Sequence, residues 1–144
     1  MKCLFCGFLN KKKNHKNGFP FFPIFETNNT ISFLSVPENK KQENHILVIP
    51  KEHYEFFDEI PKKILNELIF HVSLASKILK EEFPGYRIQL NNGRDAEQYI
   101  PHVHFHIFPM KNKKEYPLLK DKSFSEFTKL TKILRKKFKK EVQE

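Results

Sequence analysis

The segment His102-Val103-His104-Phe105-His106-Ile107-Phe108 determines how this sequence is interpreted. Because successive side chains of a strand point to opposite faces, the three histidines are predicted to share one face and the apolar residues between them the other. The apolar face can pack beneath a helix. Neutral imidazole is both a nucleophile and a metal ligand, and it titrates near neutrality. Three imidazoles on one face therefore indicate a metal site or a site that handles phosphate.

Further strands and two helices are predicted around this segment. Strand formers or alternating polarity mark four other stretches, at 24–26, 30–36, 45–50 and 86–90. Pro61 begins a long helix, in which apolar residues recur every three or four positions up to Leu79, and Pro84-Gly85 ends it. A capping box, Ser123-x-x-Glu126, precedes a second amphipathic helix. Strands alternating with two helices predict one α+β domain.

Length and composition exclude several classes of protein. The chain has 144 residues, of which 39% are hydrophobic and 30% charged, so neither a disordered tail nor a membrane protein is expected. No apolar run approaches the roughly 20 residues that a bilayer span needs, and the N-terminus lacks the pattern of a secretory signal. Cys3 and Cys6, spaced C-x-x-C in such a chain, indicate metal or redox chemistry. The composition therefore predicts a cytoplasmic protein without a membrane partner.

Positive charge is concentrated in the last quarter of the chain. The formal net charge is +9, and residues 111–144 contain 12 Lys/Arg and 5 Asp/Glu, a net charge of +7. Such a basic flank attracts phosphates, whether in a nucleotide or in a nucleic acid. It is equally typical of a solvated lysine-rich face, and composition alone does not choose between the two.

The triad segment and its surroundings resemble the histidine triad (HIT) superfamily, whose signature alternates histidines with apolar residues. The resemblance extends to Cys3-Leu4-Phe5-Cys6, to the strand and turn at 45–54, and to Asn91-Asn92-Gly93-Arg94. It implies an α+β fold in which a five-stranded antiparallel sheet with one long helix forms half of a homodimer. On this interpretation residues 1–110 are the HIT domain, and residues 111–144 form a basic C-terminal helical extension packed on the same domain.

The resemblance also implies an activity and a set of site residues. His104 would attack the α-phosphorus of a purine nucleotide or dinucleotide, forming a covalent nucleotidyl-histidine that water hydrolyses. His106 would contact the phosphate and help the leaving group depart. The residues implied to bind substrate are Asn91 and Gln98 near the phosphates, and Phe33, Ser35 and Val36 near the nucleoside. The expected substrates are dinucleoside polyphosphates and nucleoside phosphoramidates.

A structural zinc ion is the cofactor that the resemblance implies. Tetrahedral zinc needs four nitrogen or sulfur ligands. The ligands implied for this chain are Cys3, Cys6, His45 and His102. His53, which follows the strand at 45–50, is expected to be structural.

Three positions depart from the family pattern and keep other functions open. Ser35 stands where an acidic residue usually binds the ribose, and Glu97 and Tyr99 stand where glycine and a small hydroxyl residue usually approach the phosphate. One alternative is removal of adenylate from nucleic acid ends, as in aprataxin-like members, for which the basic tail would bind nucleic acid. A second is a non-catalytic nucleotide-binding or protein-binding module. A catalytic metal held by all three histidines is the weakest, because His102 is better used with the cysteines.

Overall fold

The computed structural model describes residues 3–10, 21–35, 44–119 and 123–143. The strands form one antiparallel sheet, and helices pack on both of its faces. The helices are α1 (Leu4–Leu9), α2 (Lys62–Lys80) and α3 (Phe124–Gln143). The strands are β1 (Pro23–Glu26), β2 (Thr30–Leu34), β3 (Ile46–Pro50), β4 (Gly85–Leu90), β5 (Phe105–Lys111) and β6 (Lys114–Glu115). The predicted α+β class is confirmed.

Five strands run in the order β1-β2-β3-β5-β4, and the short β6 pairs with β5. Every pairing is antiparallel, and β5 lies between β3 and β4. His106 is paired with Leu47 on one side and with Gln89 on the other. The end of the triad segment is therefore held in an interior strand of the sheet, and the predicted five-stranded core gains one short strand.

The main apolar core lies between the sheet and α2. Pro61 occupies the N-cap of α2, where its missing N–H costs no hydrogen bond, and its carbonyl accepts from the Leu65 N–H at 2.8 Å. The buried face of the helix packs on the strand residues that alternate with the histidines, Val103, Phe105 and Ile107. The predicted division of the triad segment into an apolar and a histidine face is confirmed.

The other face of the sheet is covered by α1, a helix that the sequence did not predict. Its Phe5 and Phe8 are buried, and they pack with Phe33 of β2 in a second apolar cluster. Phe5 also meets the rings of His102 and His104 edge-on, at centroid distances of 5.8 and 5.2 Å. The histidine face is therefore more buried than an open strand surface would be, since His102 is 0% and His104 7% exposed.

The C-terminal helix α3 packs against β1 and α2. Phe127, Leu134 and Phe138 are buried in the main core. Arg135 ties the helix to the chain at the start of β1, because its Nε donates to the Pro23 carbonyl at 2.7 Å and its guanidinium lies 3.9 Å from the centre of the Phe22 ring. In the described ranges, no helix combines the length and apolarity needed to cross a bilayer.

Candidate functional site

Four sulfur and nitrogen donors converge where α1 meets the turn after β3 and the start of the triad segment. The residues are Cys3, Cys6, His53 and His102, whose ligand atoms all lie within 4.8 Å of one another. Cys3 Sγ is 3.4 Å and Cys6 Sγ 3.7 Å from His102 Nδ1, and Cys6 Sγ is 3.3 Å from His53 Nδ1. Tetrahedral zinc with bonds of about 2.0–2.3 Å places its ligands roughly 3.3–3.8 Å apart. The donor set fits zinc in number, type and spacing.

The hydrogen bonding of His102 suits it to bind a metal. Its Nε2 lies 2.8 Å from the Pro50 carbonyl oxygen, which can only accept, so Nε2 carries the hydrogen and the Nδ1 lone pair faces the two thiols. Burial lowers the pKa of His102 to about 4, with smaller contributions from His53 and His104, so the ring is neutral at pH 7. A backbone carbonyl that orients a ligating imidazole in this way is a common feature of zinc sites.

The Cys6 thiol is protonated at pH 7 unless a cation binds. Burial, together with the neighbouring Cys3, raises the pKa of Cys6 to about 11. The Cys6 N–H also points to Cys3 Sγ at 3.4 Å, an arrangement that stabilises negative charge on that sulfur. A zinc ion would deprotonate both thiols on binding.

His45 is not part of this group, which corrects the expected ligand set. His45 lies one residue before β3, and its Nε2 lies 2.8 Å from His106 Nδ1. The fourth donor is His53, which was expected to be only structural. It lies three residues beyond the end of β3, where the chain turns back towards α1. Its position after a proline-terminated strand was the available signal in the sequence.

His104 has the hydrogen bond that a nucleophilic imidazole needs. Its Nδ1 lies 2.7 Å from the His102 carbonyl oxygen, so Nδ1 carries the hydrogen and Nε2 holds a lone pair. Burial lowers the pKa of His104, and the hydrogen bond to the His102 carbonyl opposes this only in part. The ring is therefore neutral at pH 7, with its second nitrogen available for attack on an electrophile.

His106 lies beside His104, with ring centroids 4.8 Å apart. It is held by His45 through the 2.8 Å contact and stacks on Phe108, with ring planes 7° apart. Burial, followed by the neighbouring His45 and His104, lowers the pKa of His106 to about 3. The second and third triad histidines thus form a pair of neutral imidazoles fixed at the middle of the sheet.

The predicted nucleoside contacts are not assembled as expected. Phe33 is 1% exposed beneath α1, where Phe5 meets it edge-on at 5.5 Å, so the ring has no surface for a ligand in this arrangement. Ser35 directs its hydroxyl to His45 at 3.1 Å. Val36 lies outside the described residues.

Gln98 supports the loop before the triad segment, and its predicted phosphate contact is not supported. Its side chain is 5% exposed, with Oε1 accepting from the Gly93 N–H at 2.7 Å and Nε2 donating to the Glu55 carbonyl at 2.9 Å. Asn91 follows β4, next to the start of β5, and its Nδ2 is 3.4 Å from the Glu97 carbonyl oxygen.

Two residues of the same loop are unusual, one in its backbone conformation and one in its exposure. Glu97 has φ 65°, in the left-handed region that glycine adopts without strain. Tyr99 is 79% exposed. Neither side chain is held in the core, so the loop presents a carboxylate and a phenol at the surface.

Comparison with known proteins agrees with this geometry. A model of the HIT domain matches residues 21–113. An uncharacterised HIT-like protein of Methanocaldococcus jannaschii is 40% identical over 108 residues, which are 74% of this chain and 78% of that protein. An adenosine 5'-monophosphoramidase of Candida albicans is 36% identical over 116 residues, or 76% of this chain and 71% of that enzyme.

Solved structures show the same fold. The crystal structure of a hypothetical histidine triad nucleotide-binding protein from Sulfolobus tokodaii matches with a TM-score of 0.77 and 28% identity, and the match covers 96% of this chain and 93% of that one. The residues that the HIT domain model matches contain β1 to β5, α2 and all three triad histidines. The chain therefore belongs to the HIT domain family.

Proposed function

We propose that this protein hydrolyses a nucleotide at its α-phosphorus, with His104 as the nucleophile. The observation that carries the proposal is the 2.7 Å contact between His104 Nδ1 and the His102 carbonyl oxygen, which leaves the Nε2 lone pair for attack. Kinship with an adenosine 5'-monophosphoramidase favours an adenosine phosphoramidate as substrate, with a dinucleoside polyphosphate as the second choice. Both carry a phosphorus bonded to a group that can leave.

The proposed reaction has two steps. The Nε2 lone pair of His104 attacks the α-phosphorus, and the bond from phosphorus to the leaving amine breaks with its electron pair on the amine. His106 is neutral at pH 7, so it assists through hydrogen bonds while a water molecule beside it gives the amine a proton. The hydroxide that remains attacks the phosphorus of the nucleotidyl-histidine, the phosphorus–Nε2 bond breaks, and a nucleoside monophosphate leaves.

Zinc would be held by Cys3, Cys6, His53 and His102, and its contribution would be structural. Four protein donors fill a tetrahedral shell, so no position is left for substrate. When bound, the ion ties α1 to the turn after β3 and to the start of the triad segment. This fixes Phe5 against His104.

A homodimer is the proposed assembly. β4 pairs with β5 alone among the described strands, so its second edge offers unpaired backbone groups. Tyr86 and Ile88 on this strand are 42% and 47% exposed, and Phe70 of α2 is 62% exposed. Ile88→Arg should convert the dimer to a monomer in light scattering, while Lys63→Gln on the exposed part of α2 should not. A monomeric unmodified protein at micromolar concentration would contradict the assembly.

Removal of adenylate from nucleic acid ends is a second candidate, favoured by a cationic face of α3. Five of its lysines are exposed: Lys129, Lys132, Lys136, Lys139 and Lys140. Such a face attracts a polyanion whatever its sequence. A higher kcat/KM for a 5'-adenylated oligonucleotide than for an adenosine phosphoramidate would favour this candidate over the first.

The test of the proposed function compares two buried histidines at about pH 7.5. His104→Ala should lower kcat for adenosine phosphoramidate by about 10³-fold or more, because it removes the nucleophile. His71→Asn is the matched control, since His71 is also buried but lies in α2 and bonds Thr30 Oγ1 through Nδ1 at 2.9 Å. Circular dichroism should show both variants folded. A kcat for His104→Ala within tenfold of the unmodified protein would refute the role of His104.

A further inference from the structure

The outer side of α3 carries lysines that form no ion pair in the described part of the chain. Two other cations of the same stretch are used inside the protein. Arg135 Nε donates to the Pro23 carbonyl, and Lys137 Nζ forms ion pairs with Glu81 and Glu82. The lysines that remain are exposed, and none of them forms an ion pair with a described residue. They are the cationic face of α3: Lys129, Lys132, Lys136, Lys139 and Lys140.

Helix geometry gathers these lysines on one side of α3. Because an α-helix has about 3.6 residues per turn and rises about 1.5 Å per residue, they lie within about 100° of arc and along about 16 Å of the helix. The acidic side chains of α3 fall outside this arc. Glu126 lies in the first turn, and Glu141 is held by Lys77 of α2 at 2.8 Å. The cationic face therefore carries charge of one sign.

The lysines of the cationic face repel one another. Lys129 and Lys132 are three residues apart, and Lys132 and Lys136 are four apart, so their side chains are neighbours on the helix surface. Like charges at these spacings destabilise a helix. A ligand with several negative charges in a row would relieve this repulsion between all the neighbours at once, whereas a single small anion would relieve only one pair. The face therefore favours a polyanion.

The cationic face lies on the opposite side of the sheet from the candidate active site. Phe127, Leu134 and Phe138, on the inner side of α3, are buried in the main core that also contains the buried face of α2. His104 is on the other face of the sheet, where Phe5 of α1 meets its ring at 5.2 Å. The sheet therefore separates a polyanion on α3 from His104 of the same chain.

The surroundings of the lysines favour a nucleic acid duplex as the polyanion. The apolar side of α3 is buried in the protein, so the helix cannot insert that side into a lipid bilayer. Between residues 129 and 140, Ile133 is the one exposed side chain besides the lysines, so unpaired bases find no aromatic ring on which to stack. Lysine offers a point charge to each phosphate. A duplex presents phosphates closely spaced along both strands, with its bases paired and stacked inside.

We propose that the cationic face of α3 binds the phosphate backbone of double-stranded nucleic acid, whatever its sequence. This inference goes beyond the proposed function, because hydrolysis of a small nucleotide does not use α3. The duplex would hold the protein from the side of the sheet that lacks the triad histidines, and it would not deliver a strand end to His104 of the same chain. The face is a second binding site.

The salt dependence of binding to a labelled DNA duplex of about 20 base pairs tests the proposal by fluorescence anisotropy. Each phosphate contact adds about −0.9 to the slope of log K against log salt, so five contacts per chain give about −4.5. Affinity should then fall about 500-fold between about 50 and 200 mM salt. Replacing Lys132, Lys136, Lys139 and Lys140 together with Gln should leave a slope of about −0.9 and a fall of about fourfold.

A second quadruple variant controls for net charge. Lys62, Lys63, Lys80 and Lys114 are exposed and lie outside α3, and their replacement with Gln removes the same charge. This variant should keep the slope of the unmodified protein to within about one unit. Circular dichroism should show both variants folded. Equal losses in the two variants would show attraction by net charge alone and would overturn the proposal.

The same assay separates this inference from the proposed function. His104→Ala should bind the duplex as tightly as the unmodified protein, and a saturating duplex should leave KM for adenosine phosphoramidate unchanged. Competition between the duplex and adenosine phosphoramidate would overturn the second site and favour removal of adenylate from nucleic acid ends. Tighter binding to a single strand of equal length, or to vesicles of equal parts phosphatidylserine and phosphatidylcholine, would overturn the choice of partner. Absence of hydrolysis would refute the proposed function alone, because duplex binding is measured without turnover.

Discussion

Acid should destabilise this protein through His71, a buried histidine on the helix side of the sheet. The side chain is 0% exposed, bonded to Thr30 Oγ1 at 2.9 Å through Nδ1, and packed edge-on against Phe25 at 5.4 Å. Its Nε2 is buried with no hydrogen-bond partner recorded among the described residues. A protonated ring would carry a buried charge without a hydrogen-bond acceptor at Nε2. Burial therefore lowers the pKa of His71 from 6.5 to about 4.

The size of the effect follows from these two pKa values. Above pH 6.5 the His71 ring is neutral in both the folded and the unfolded chain, so His71 adds no pH dependence to the free energy of unfolding there. Between pH 6.5 and 4 the unfolded chain takes up a proton that the folded chain refuses. The free energy of unfolding therefore falls by about 1.4 kcal/mol for each pH unit, or about 3 kcal/mol in total by pH 4. Below pH 4 this loss is complete.

Urea denaturation of the unmodified protein and of His71→Asn measures this contribution. Asn keeps a polar atom near Nδ1 for Thr30 and has no titration in this range. The other buried histidines are present in both proteins, so their effects cancel in the difference. The free energy of unfolding of His71→Asn minus that of the unmodified protein is measured at about pH 7.5 and again at pH 4.5. We expect this difference to increase by about 2.5 kcal/mol between the two pH values. Parallel curves, within about 0.5 kcal/mol over that range, would refute the reasoning.

Three further predictions concern the metal centre, the loop and α3. His53→Ala should reduce zinc in chelator-free preparations well below one ion per chain, while His45→Ala should keep one; the reverse result in metal analysis would restore the ligand set expected from the sequence. Glu97→Gly should raise the free energy of unfolding by about 1 kcal/mol, because φ is 65° there, and an unchanged or lower value in urea would contradict that strain. Replacing the exposed lysines of α3 with Gln should raise KM for polyanionic substrates at low salt and leave kcat within about threefold, since long-range attraction does not touch the transition state. A 100-fold fall in kcat would place α3 in the active site. Four of the five exposed lysines are replaced together, Lys132, Lys136, Lys139 and Lys140.

Regular periodicity made the main elements predictable. The spacing of apolar residues from Pro61 to Leu79 reports one buried helix face, and the alternation in the triad segment reports two strand faces, so both survive in the structure. The boundaries were less accurate. The strand β5 begins at Phe105 and ends at Lys111, because pairing with β4 continues beyond the last histidine while the chain before Phe105 turns towards α1.

The helix α1 escaped prediction because it is too short to show a period. Its six residues make fewer than two turns, and such a helix depends on its surroundings for stability. Here those surroundings are Phe33 and the candidate metal centre. The burial of His104, and the loss of a ligand surface on Phe33, follow from α1 and could not be anticipated without it.

The exchange of roles between His45 and His53 has a geometric cause. Both histidines flank β3, one at each end, so the sequence offered either as the fourth zinc ligand. The choice depends on which end of the strand meets α1, and that depends on the packing of Phe5 and Phe8 on the sheet. A long-range contact of this kind leaves no mark in the local sequence. The spacing of residues in the sequence predicts which side chains belong to the site, but it does not predict that His45 contacts His106 and that His53 joins the cysteines.

Trapping the covalent intermediate tests the central claim most directly. Protein mixed with excess adenosine phosphoramidate, quenched in base within the first turnover and digested should yield a triad peptide heavier by one adenylyl group, with the added mass on His104. The same peptide from His104→Ala should remain unmodified. An adenylyl group on His106 or on a lysine, or rapid steady-state turnover with unmodified peptide throughout, would contradict the account.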